Sequence, residues 1–411
     1  MARVLLLLPT TTYRSHDFLE AAKRLGVEVT VASEEPSAVE DLNPSSLLTM
    51  DFRDPEGCVR KAVAFARMNP LDAVVGVDED TALAAAAISK KLGLPANPPE
   101  AAAAARNKGV LRRMLDAAGV PTPRSRLFRR EDGPDAAAEG SPYPCVLKPT
   151  FLAASRGVIR ADDPVAFRRA WNRIAAILDQ PDVAAKGGEA ANEILVEEFV
   201  PGAEVAVEGL LREGRLEILA VFDKPDPLDG PFFEETIYVT PSRLGARALT
   251  DVKSAAERAS RALGLRHGPI HAELRINSIG VSVIEIAARS IGGLCSRTLQ
   301  FGTGMSLEEL ILRHALARDG DPPPRDPRAA GVMMIPIPRG GRLGRVFGLD
   351  EARRVADVED VVISIRPGQL LVPLPEGSRY LGFVFSRAAT AGRAEAALRE
   401  AHSKLNFEIG D

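Results

Sequence analysis

The stretch HAELRINSIGVSVIEIAAR, residues 271–289, contains two short runs of alternating apolar residues around a turn, and each run carries one glutamate. A three-residue hairpin loop favours Gly at its last position, so Gly280 predicts a hairpin closed by Asn277 and Val281. This register assigns to one face His271, Glu273, Arg275, Asn277, Val281, Val283, Glu285, Ala287 and Arg289, and to the other face Ala272, Leu274, Ile276, Ile284 and Ile286.

The two glutamates of this hairpin lie opposite each other on the predicted register. Opposed residues on one face have Cβ atoms about 4.5 to 5.5 Å apart, and opposed like charges are destabilising. Glu273 and Glu285 therefore need a positive partner. One interpretation is that Arg275 and Arg289 neutralise them on a solvated face. The other is a divalent cation such as Mg²⁺, which takes one or two carboxylates together with substrate phosphates and so requires a phosphate-binding apparatus elsewhere in the chain.

The composition and charge of the chain indicate an ordinary globular protein. Its 411 residues predict about two or three domains, and 45% hydrophobic with 26% charged residues is typical of such proteins. A net charge of −4 without long basic runs argues against nucleic acid or an anionic membrane as a partner. Three widely spaced cysteines, and an N-terminal VLLLLP run too short for a membrane span or a signal peptide, predict a cytoplasmic protein.

Strands and helices alternate over about the first hundred residues. The runs VLLLL at 4–8, VEVTVAS at 27–33 and LDAVVGV at 71–77 are typical of buried strands, and apolar residues at helical spacing follow the first and the last of them. This alternation predicts a parallel, doubly wound sheet. The first strand-to-helix turn, PTTTYRSHD at 9–17, lacks the GxGxxG motif, which removes the main support for a dinucleotide-binding site.

The pattern changes after residue 100. One Ala-rich helix carrying Asn107 and Lys108 is predicted to end at Gly119, followed by a charged linker at 129–144. Strands and helices then continue around an ordered loop at 225–243, in which the apolar residues follow neither strand nor helix spacing. A Pro-rich linker at 319–327 precedes a final α+β lobe.

Three segments upstream of the hairpin could bind a nucleotide. Lys148 ends the strand CVLKP, and the following loop TFLAASRGV contains small residues that let backbone N–H groups approach phosphate oxygens. Lys108 supplies a second cation. The segment VEEFVPGAE at 196–204 offers backbone donors and acceptors to a flat heterocycle, and carboxylates to an amine or a ribose. Each segment alone is also compatible with a solvated lysine or an ordinary turn, so the evidence lies in their order.

The order along the chain is a lysine, a second lysine before a small-residue loop, the segment EEFVPGAE, and then two acids and an arginine across a hairpin. This order resembles the ATP-grasp superfamily of carboxylate-amine ligases, and the resemblance covers nearly the whole chain. The last lobe, beginning GVMMIPIP at 331–338, is most similar to bacterial L-amino acid ligases, which make dipeptides. The resemblance implies an α/β fold with three parts: a doubly wound pre-ATP-grasp domain at 1–105, a two-lobed α+β ATP-grasp domain at 106–327 with a lid lobe at about 124–200, and a small α+β lobe at 328–411.

The resemblance also implies roles for individual residues. ATP phosphates would contact Lys108, Lys148 and the loop residues Ser155, Arg156 and Gly157; adenine would lie against Glu197, Glu198, Phe199 and Val200; and the ribose would bind Glu204. Mg²⁺, or Mn²⁺ in its place, would bind Glu273 and Glu285, and Arg289 would steady an acyl phosphate. The family usually has Asn two residues after the second metal glutamate, whereas this chain has Ala287 there, opposite His271.

The predicted reaction is ATP-dependent activation of a carboxylate, an amino acid in the first instance, as an acyl phosphate that an amine then displaces. Substrate contacts are expected from Arg289, Gly292, Gly293, Glu234, Glu235 and His271. One alternative is a ligase or carboxylase for another carboxylate, such as bicarbonate or a purine-pathway intermediate. Another is an ATP-binding regulator whose catalytic centre is weakened at Ala287. Relatives favour a homodimer that acts on small molecules.

Overall fold

The computed structural model describes residues 1–37, 40, 42–318 and 323–410. The predicted Pro-rich linker at 319–327 therefore lies partly outside the described residues, at 319–322. A bilayer-spanning helix, which needs about 20 apolar residues, was not found among the helices of the described residues.

The N-terminal part is a parallel sheet with helices packed against it. Its elements are β1 (Arg3–Leu7), α1 (Ser15–Arg24), β2 (Glu28–Ser33), β3 (Leu47–Thr49), α2 (Pro55–Ala66), β4 (Ala73–Gly76) and α3 (Glu79–Leu92). The strands run in the order β3-β2-β1-β4, and each neighbouring pair is parallel. Residues 4–7 of β1 are fully buried, as expected of a strand covered on both faces. The predicted doubly wound sheet is confirmed.

The Ala-rich segment after it forms two helices, α4 (Pro99–Arg106) and α5 (Lys108–Ala117), so the prediction of one continuous helix was wrong. Asn107 interrupts them with φ −97° and ψ 108°. Its side-chain oxygen accepts the N–H groups of Gly109 and Val110, both at 3.0 Å, and so caps α5. Lys108 becomes the first residue of α5, with its N–H donated to the Thr150 carbonyl at 2.8 Å.

A small α+β lobe follows. Its elements are β5 (Ser125–Arg129), α6 (Gly133–Ala138), β6 (Cys145–Pro149), β7 (Ile159–Ala161), α7 (Pro164–Leu178), α8 (Pro181–Gly187) and β8 (Glu193–Glu198). The antiparallel sheet has the order β5-β8-β6-β7, and α7 packs Phe167, Trp171 and Ile174 against it. The predicted linker at 129–144 instead contains a 3-10 turn (Arg130–Asp132) and α6, because Ala137 and Ala138 are buried in this core.

The central sheet begins with long strands. The next elements are β9 (Ala203–Arg212), β10 (Arg215–Lys224), β11 (Ile237–Thr240), α9 (Ala246–Ala262), β12 (Gly268–Ile276), β13 (Val281–Ala287), a 3-10 turn (Cys295–Thr298), β14 (Gln300–Phe301), β15 (Met305–Ser306) and α10 (Leu307–Ala315). The predicted irregular loop at 225–243 thus contains strand β11, which pairs with a strand from the last lobe.

The last lobe extends the central sheet. Its elements are β16 (Ala329–Ile335), β17 (Gly341–Phe347), α11 (Leu349–Arg353), β18 (Val358–Ile363), β19 (Leu370–Leu371), β20 (Gly382–Ala388), α12 (Ala391–Lys404) and β21 (Asn406–Gly410). The central sheet has the order β13-β12-β9-β10-β11-β16-β20-β18, and β19-β17-β21 form a separate sheet. A backbone ladder between β11 and β16 therefore joins the last lobe to the preceding strands of the central sheet. The predicted domain boundaries themselves stay predictions.

The hairpin β12–β13 has the predicted pairing at its acidic residues but a different turn. Glu273 pairs with Glu285 and His271 with Ala287, as expected. The predicted closing pair was wrong, because Ile276 pairs with Val281 and a two-residue turn lies beyond them.

A β-bulge compensates for the shift at the turn. The register changes by one residue between the pairs of Glu273 and Leu274, which leaves Ile284 as the extra residue of β13. Val283 therefore points into the core and is fully buried, while Ile284 lines the cavity described below. The sequence had assigned these two residues to the opposite faces.

Candidate active site

A cavity of about 370 Å³ lies among the small lobe, the central sheet and the N-terminal sheet. Most of the predicted site residues line it: Lys108, Lys148, Ser155, Arg156, Glu197, Glu198, Phe199, Val200, Glu204, Glu235, His271, Glu273, Glu285, Arg289, Gly292 and Gly293. Two others lie outside its lining. Gly157 donates its N–H to the Pro375 carbonyl at 2.9 Å, and Glu234 is half-buried, with a pKa raised by burial.

The opposed glutamates are neutralised by different cations from those predicted. Lys108 Nζ lies 3.2 Å from Glu285 Oε1 and donates to the Leu152 carbonyl at 2.8 Å. Glu273 Oε1 lies 3.4 Å from Lys224 Nζ. The expectation that Arg275 and Arg289 form these pairs was wrong, because each arginine is engaged elsewhere. Lysines from distant segments supply the charge.

Lys148 belongs to a buried network of ion pairs among three residues. Its Nζ lies 2.6 Å from Glu197 Oε2, and the other oxygen of Glu197 lies 2.6 Å from Arg112 Nε. Burial lowers the pKa of Lys148, whereas Arg112 and Lys148 together outweigh burial and lower the pKa of Glu197. The Glu197 side chain therefore positions Lys148, and only the Glu197 backbone remains to contact an adenine base.

The loop between β6 and β7 covers the same end of the cavity. Ala154 and Ser155 have φ of 54° and 55°, in the left-handed region that costs free energy for residues with a Cβ. Arg156 lies in this loop but turns toward α8, where it hydrogen-bonds Gln180 and lies 3.6 Å from Asp182. Backbone strain of this kind clusters at ligand-binding loops, which fits the predicted phosphate cover.

A buried lysine that the sequence did not indicate stands behind the carboxylates. Lys224, at the end of β10, contacts Glu204 at 2.8 Å and Glu273 at 3.4 Å, and makes a short ion pair with Glu235. The nearest carboxylate oxygens of these three glutamates lie within 4.8 Å of one another. Burial opposes the charge on Lys224, but the three carboxylates outweigh it and raise its pKa well above the ordinary value. Burial raises the pKa of Glu235 to about 7.

Glu204 is shared between two cations. Its second oxygen accepts a hydrogen bond from Arg275 Nε at 2.8 Å, and the same guanidinium donates to the carbonyls of Val200, at 2.8 Å, and Leu228. Arg275 therefore fixes both the carboxylate predicted to bind the ribose and the backbone predicted to hold the adenine.

His271 lies between two acids. Its Nδ1 is 3.2 Å from Glu208 and its Nε2 is 3.6 Å from Glu273. Burial lowers the pKa of His271, but the hydrogen bonds with the two glutamates outweigh burial and raise it to about 9. Glu273 Oε1 is therefore shared between His271 and Lys224.

The N-terminal part contributes acids that the sequence pattern did not predict. Glu79, at the start of α3, accepts from Arg289 Nε at 3.0 Å, and the neighbouring Asp80 pairs with Lys186 of the small lobe at 2.7 Å. Both acids line the cavity. The signal was present in VDED at 77–80, because ligands bind beyond the carboxyl ends of parallel strands and this run follows β4.

Replacing Asn107 with Ala is expected to weaken ATP binding and to cost about 1 kcal/mol of stability, since it removes the cap of α5 and with it the fixed position of Lys108. Asn107→Asp keeps an accepting oxygen and serves as the control, with near-normal affinity expected. Titration with ATP and thermal melts of both variants check this. Equal ATP affinity of Asn107→Ala and the unmodified protein would show that the cap does not position Lys108.

Comparisons with known proteins agree with this geometry. The ATP-grasp domain profile matches residues 141–298, the ATP-grasp N-terminal domain matches 19–96, and the L-amino acid ligase C-terminal domain 2 matches 333–410. These matches define the class: the chain contains an ATP-grasp domain preceded by an ATP-grasp N-terminal domain. Its last lobe matches a C-terminal domain of the L-amino acid ligases, so the resemblance inferred from the sequence is confirmed.

Individual relatives share between 26% and 29% of their aligned residues with this chain. A crystal structure of L-amino acid ligase from Bacillus licheniformis superposes with a TM-score of 0.83 at 26% identity, covering 100% of this chain and 99% of that chain. Alanine–anticapsin ligase of Bacillus subtilis is 28% identical over 64% of this chain, and carnosine synthase 1 of Gallus gallus is 29% identical over 80%. The matches span 58% and 38% of these two relatives' own lengths.

Proposed function

We propose that this protein is an ATP-dependent carboxylate-amine ligase that activates an amino acid as an acyl phosphate and joins it to an amine, releasing ADP and phosphate. The observation that carries the proposal is the convergence in one cavity of two buried lysines, two opposed glutamates and Arg289. The proposal is also supported by the similarity of this chain to alanine–anticapsin ligase, carnosine synthase and an L-amino acid ligase.

Two lysines are placed to bind phosphate oxygens. Lys148 is held by Glu197 with its ammonium at the cavity wall, and Lys108 is paired with Glu285. An incoming triphosphate offers Lys108 a competing anion, so its ammonium can leave Glu285 for phosphate. Glu285 would then be available to a cation, which couples nucleotide binding to metal binding.

The donor set fits a hard divalent cation, Mg²⁺ or Mn²⁺. Glu273 and Glu285 are directly paired across the hairpin, and their side chains remain 21% and 27% exposed in the cavity. Two carboxylates would leave the remaining coordination positions of the cation to water and phosphate oxygens, which is how Mg²⁺ is usually bound. Ala287 provides no ligand. When bound, the cation would neutralise charge on the transferred phosphoryl group.

The residues of the cavity suit two successive displacements. A carboxylate oxygen of the first substrate attacks the γ-phosphorus as the bond to ADP breaks, which gives an acyl phosphate and ADP. The amine nitrogen of the second substrate then attacks the acyl carbon, phosphate leaves, and the amine loses a proton. Positioning and charge neutralisation dominate such chemistry, which suits Lys148 and Arg289. The loop at 150–157 would exclude water from the intermediate.

The test is a phosphate-release assay with ATP, Mg²⁺ and pairs of amino acids, followed by mass spectrometry of the products. We expect ADP and phosphate only when a suitable carboxylate and amine are both present, together with an amide of the summed mass less water. Turnover with bicarbonate alone would favour the carboxylase alternative. ATP binding without ADP from any pair would favour the regulator.

Solution state and location also belong to this proposal. The homodimer that acts on small molecules is predicted from the resemblance, and the cytoplasmic location from the cysteines and the N-terminal run. Light scattering of the purified protein tests the dimer.

A further inference from the structure

The loop that follows β13 carries much of the proposed chemistry but has no regular secondary structure. Residues 288–294 connect β13 to the 3-10 turn at Cys295, and Arg289, Gly292 and Gly293 of this loop line the cavity. A loop of this kind needs outside contacts to hold Arg289 at one place, because irregular backbone is not fixed by a ladder of hydrogen bonds.

Two buried charged side chains hold the middle of this loop from opposite directions. Glu208 of β9 accepts the N–H of Ile291 at 3.1 and 3.0 Å. Arg14, from the loop before α1, donates Nη1 to the Ser290 hydroxyl at 2.6 Å and to the Ile291 carbonyl at 3.3 Å. Both polar groups of the Ile291 backbone are therefore bonded to side chains.

Arg14 is itself fixed within the interior. It is 1% exposed, its Nη2 lies 2.7 Å from Glu308 Oε1 of α10, and its guanidinium lies 4.9 Å from the Phe18 ring centroid. Desolvating two charges makes such a pair a poor source of stability, since apolar residues of similar volume often serve as well. What an apolar pair cannot supply is the set of donors that reaches Ser290 and Ile291.

We propose that Arg14 is a positioning residue for the ligase reaction, which fixes the Ser290–Ile291 backbone and so holds Arg289 and the Gly292–Gly293 pair against the reacting carboxyl group. The inference rests on the proposed function for the role of Arg289. It implies that the N-terminal sheet contributes to the chemistry through the loop that it holds, in addition to its own residues along the cavity.

The test compares Arg14→Lys with Arg297→Lys. Lysine keeps the charge opposite Glu308 but has one compact head, which cannot reach the loop at the same time. Arg297 is the matched control, because its side chain pairs with Asp17 of α1 at 2.9 Å across the same boundary. Its hydrogen bond to the loop runs from its backbone N–H to the Leu294 carbonyl at 3.1 Å, which a lysine retains. We expect Arg14→Lys to lower kcat about 100-fold, as a misplacement near 1 Å does, with ATP affinity unchanged within about twofold. Arg297→Lys should retain wild-type kcat.

A second variant and a second readout keep the inference testable if Arg14→Lys folds poorly. Ser290→Ala removes one acceptor and leaves the ion pair with Glu308, so we expect a smaller loss of kcat, about three- to tenfold. Hydrogen exchange in a peptide covering 288–294 should rise in both Arg14→Lys and Ser290→Ala but not in Arg297→Lys. This readout needs no turnover, so it separates failure of the inference from failure of the proposed function.

Wild-type kcat and unchanged loop exchange in Arg14→Lys would overturn the inference even if the unmodified protein is an active ligase. Parallel losses in Arg14→Lys and Arg297→Lys would also overturn it, because they would mean that Arg14 only strengthens the boundary between the two parts.

Discussion

Replacing Glu285 with Gln is expected to abolish ADP formation, with a loss of at least about 10²- to 10³-fold. Glutamine has nearly the same size as glutamate but no charge, so it cannot neutralise a divalent cation opposite Glu273. The structural cost should be small, because the side chain remains 27% exposed and its partner Lys108 keeps the Leu152 carbonyl as an acceptor. Measurement of ADP release across a Mg²⁺ titration gives the result.

The control is Glu257→Gln, which makes the same chemical change in an exposed ion pair with Arg261 at 2.9 Å on α9. It should leave turnover and the dependence on Mg²⁺ unchanged. A Glu285→Gln variant that forms ADP at the normal rate and with the normal Mg²⁺ requirement would remove Glu285 from the metal site and leave the hairpin without its proposed role.

Replacing Lys224 with Met is expected to destabilise the protein by about 3–5 kcal/mol, because it removes the buried cation that three glutamates share. The melting temperature should fall by on the order of 10 °C. The exposed Lys253 of α9 provides the control, and Lys253→Met should melt close to the unmodified protein. Differential scanning calorimetry across a range of pH measures both.

The deficit of Lys224→Met should shrink as the pH falls from 8 to 5. Burial already raises the pKa of Glu235 to about 7, and the loss of Lys224 would raise it further. A carboxyl group with a raised folded-state pKa contributes stability that is present below its unfolded pKa and is lost as the pH rises through the folded value. The double variant Lys224→Met, Glu235→Gln should recover part of the loss. A deficit that does not change with pH would contradict this account.

The acidic hairpin shows how much of a strand pairing can be predicted by counting residues from the turn. The sequence predicted the correct partner for Glu273, although it made the hairpin loop one residue too long. A bulge at Ile284 restored the register before the glutamates were reached. A bulge depends on packing against neighbouring strands and has no clear signal in the residues themselves, which explains why Val283 and Ile284 were assigned to the wrong faces.

Lys224 illustrates the opposite case. The turn at Glu213 and Gly214 joins β9 to β10, and a constant register from it would have paired Lys224 with Ala203. A bulge between Ile218 and Ala220 moves the pairing by one residue, to Glu204. The cluster also needs Glu235 and Glu273 from two further strands, so no short segment of sequence contains it.

The sequence by itself determined the class of fold, the order of the segments along the cavity and the facing pair of glutamates, because strand periodicity and turn chemistry are local properties. Only the tertiary structure decided which cation neutralises which acid. Lys108 with Glu285, Lys224 with Glu204 and Arg14 with Glu308 join residues 177, 20 and 294 positions apart. Such pairs form where separate strands and lobes meet, and their partners are set by the packing of the whole chain.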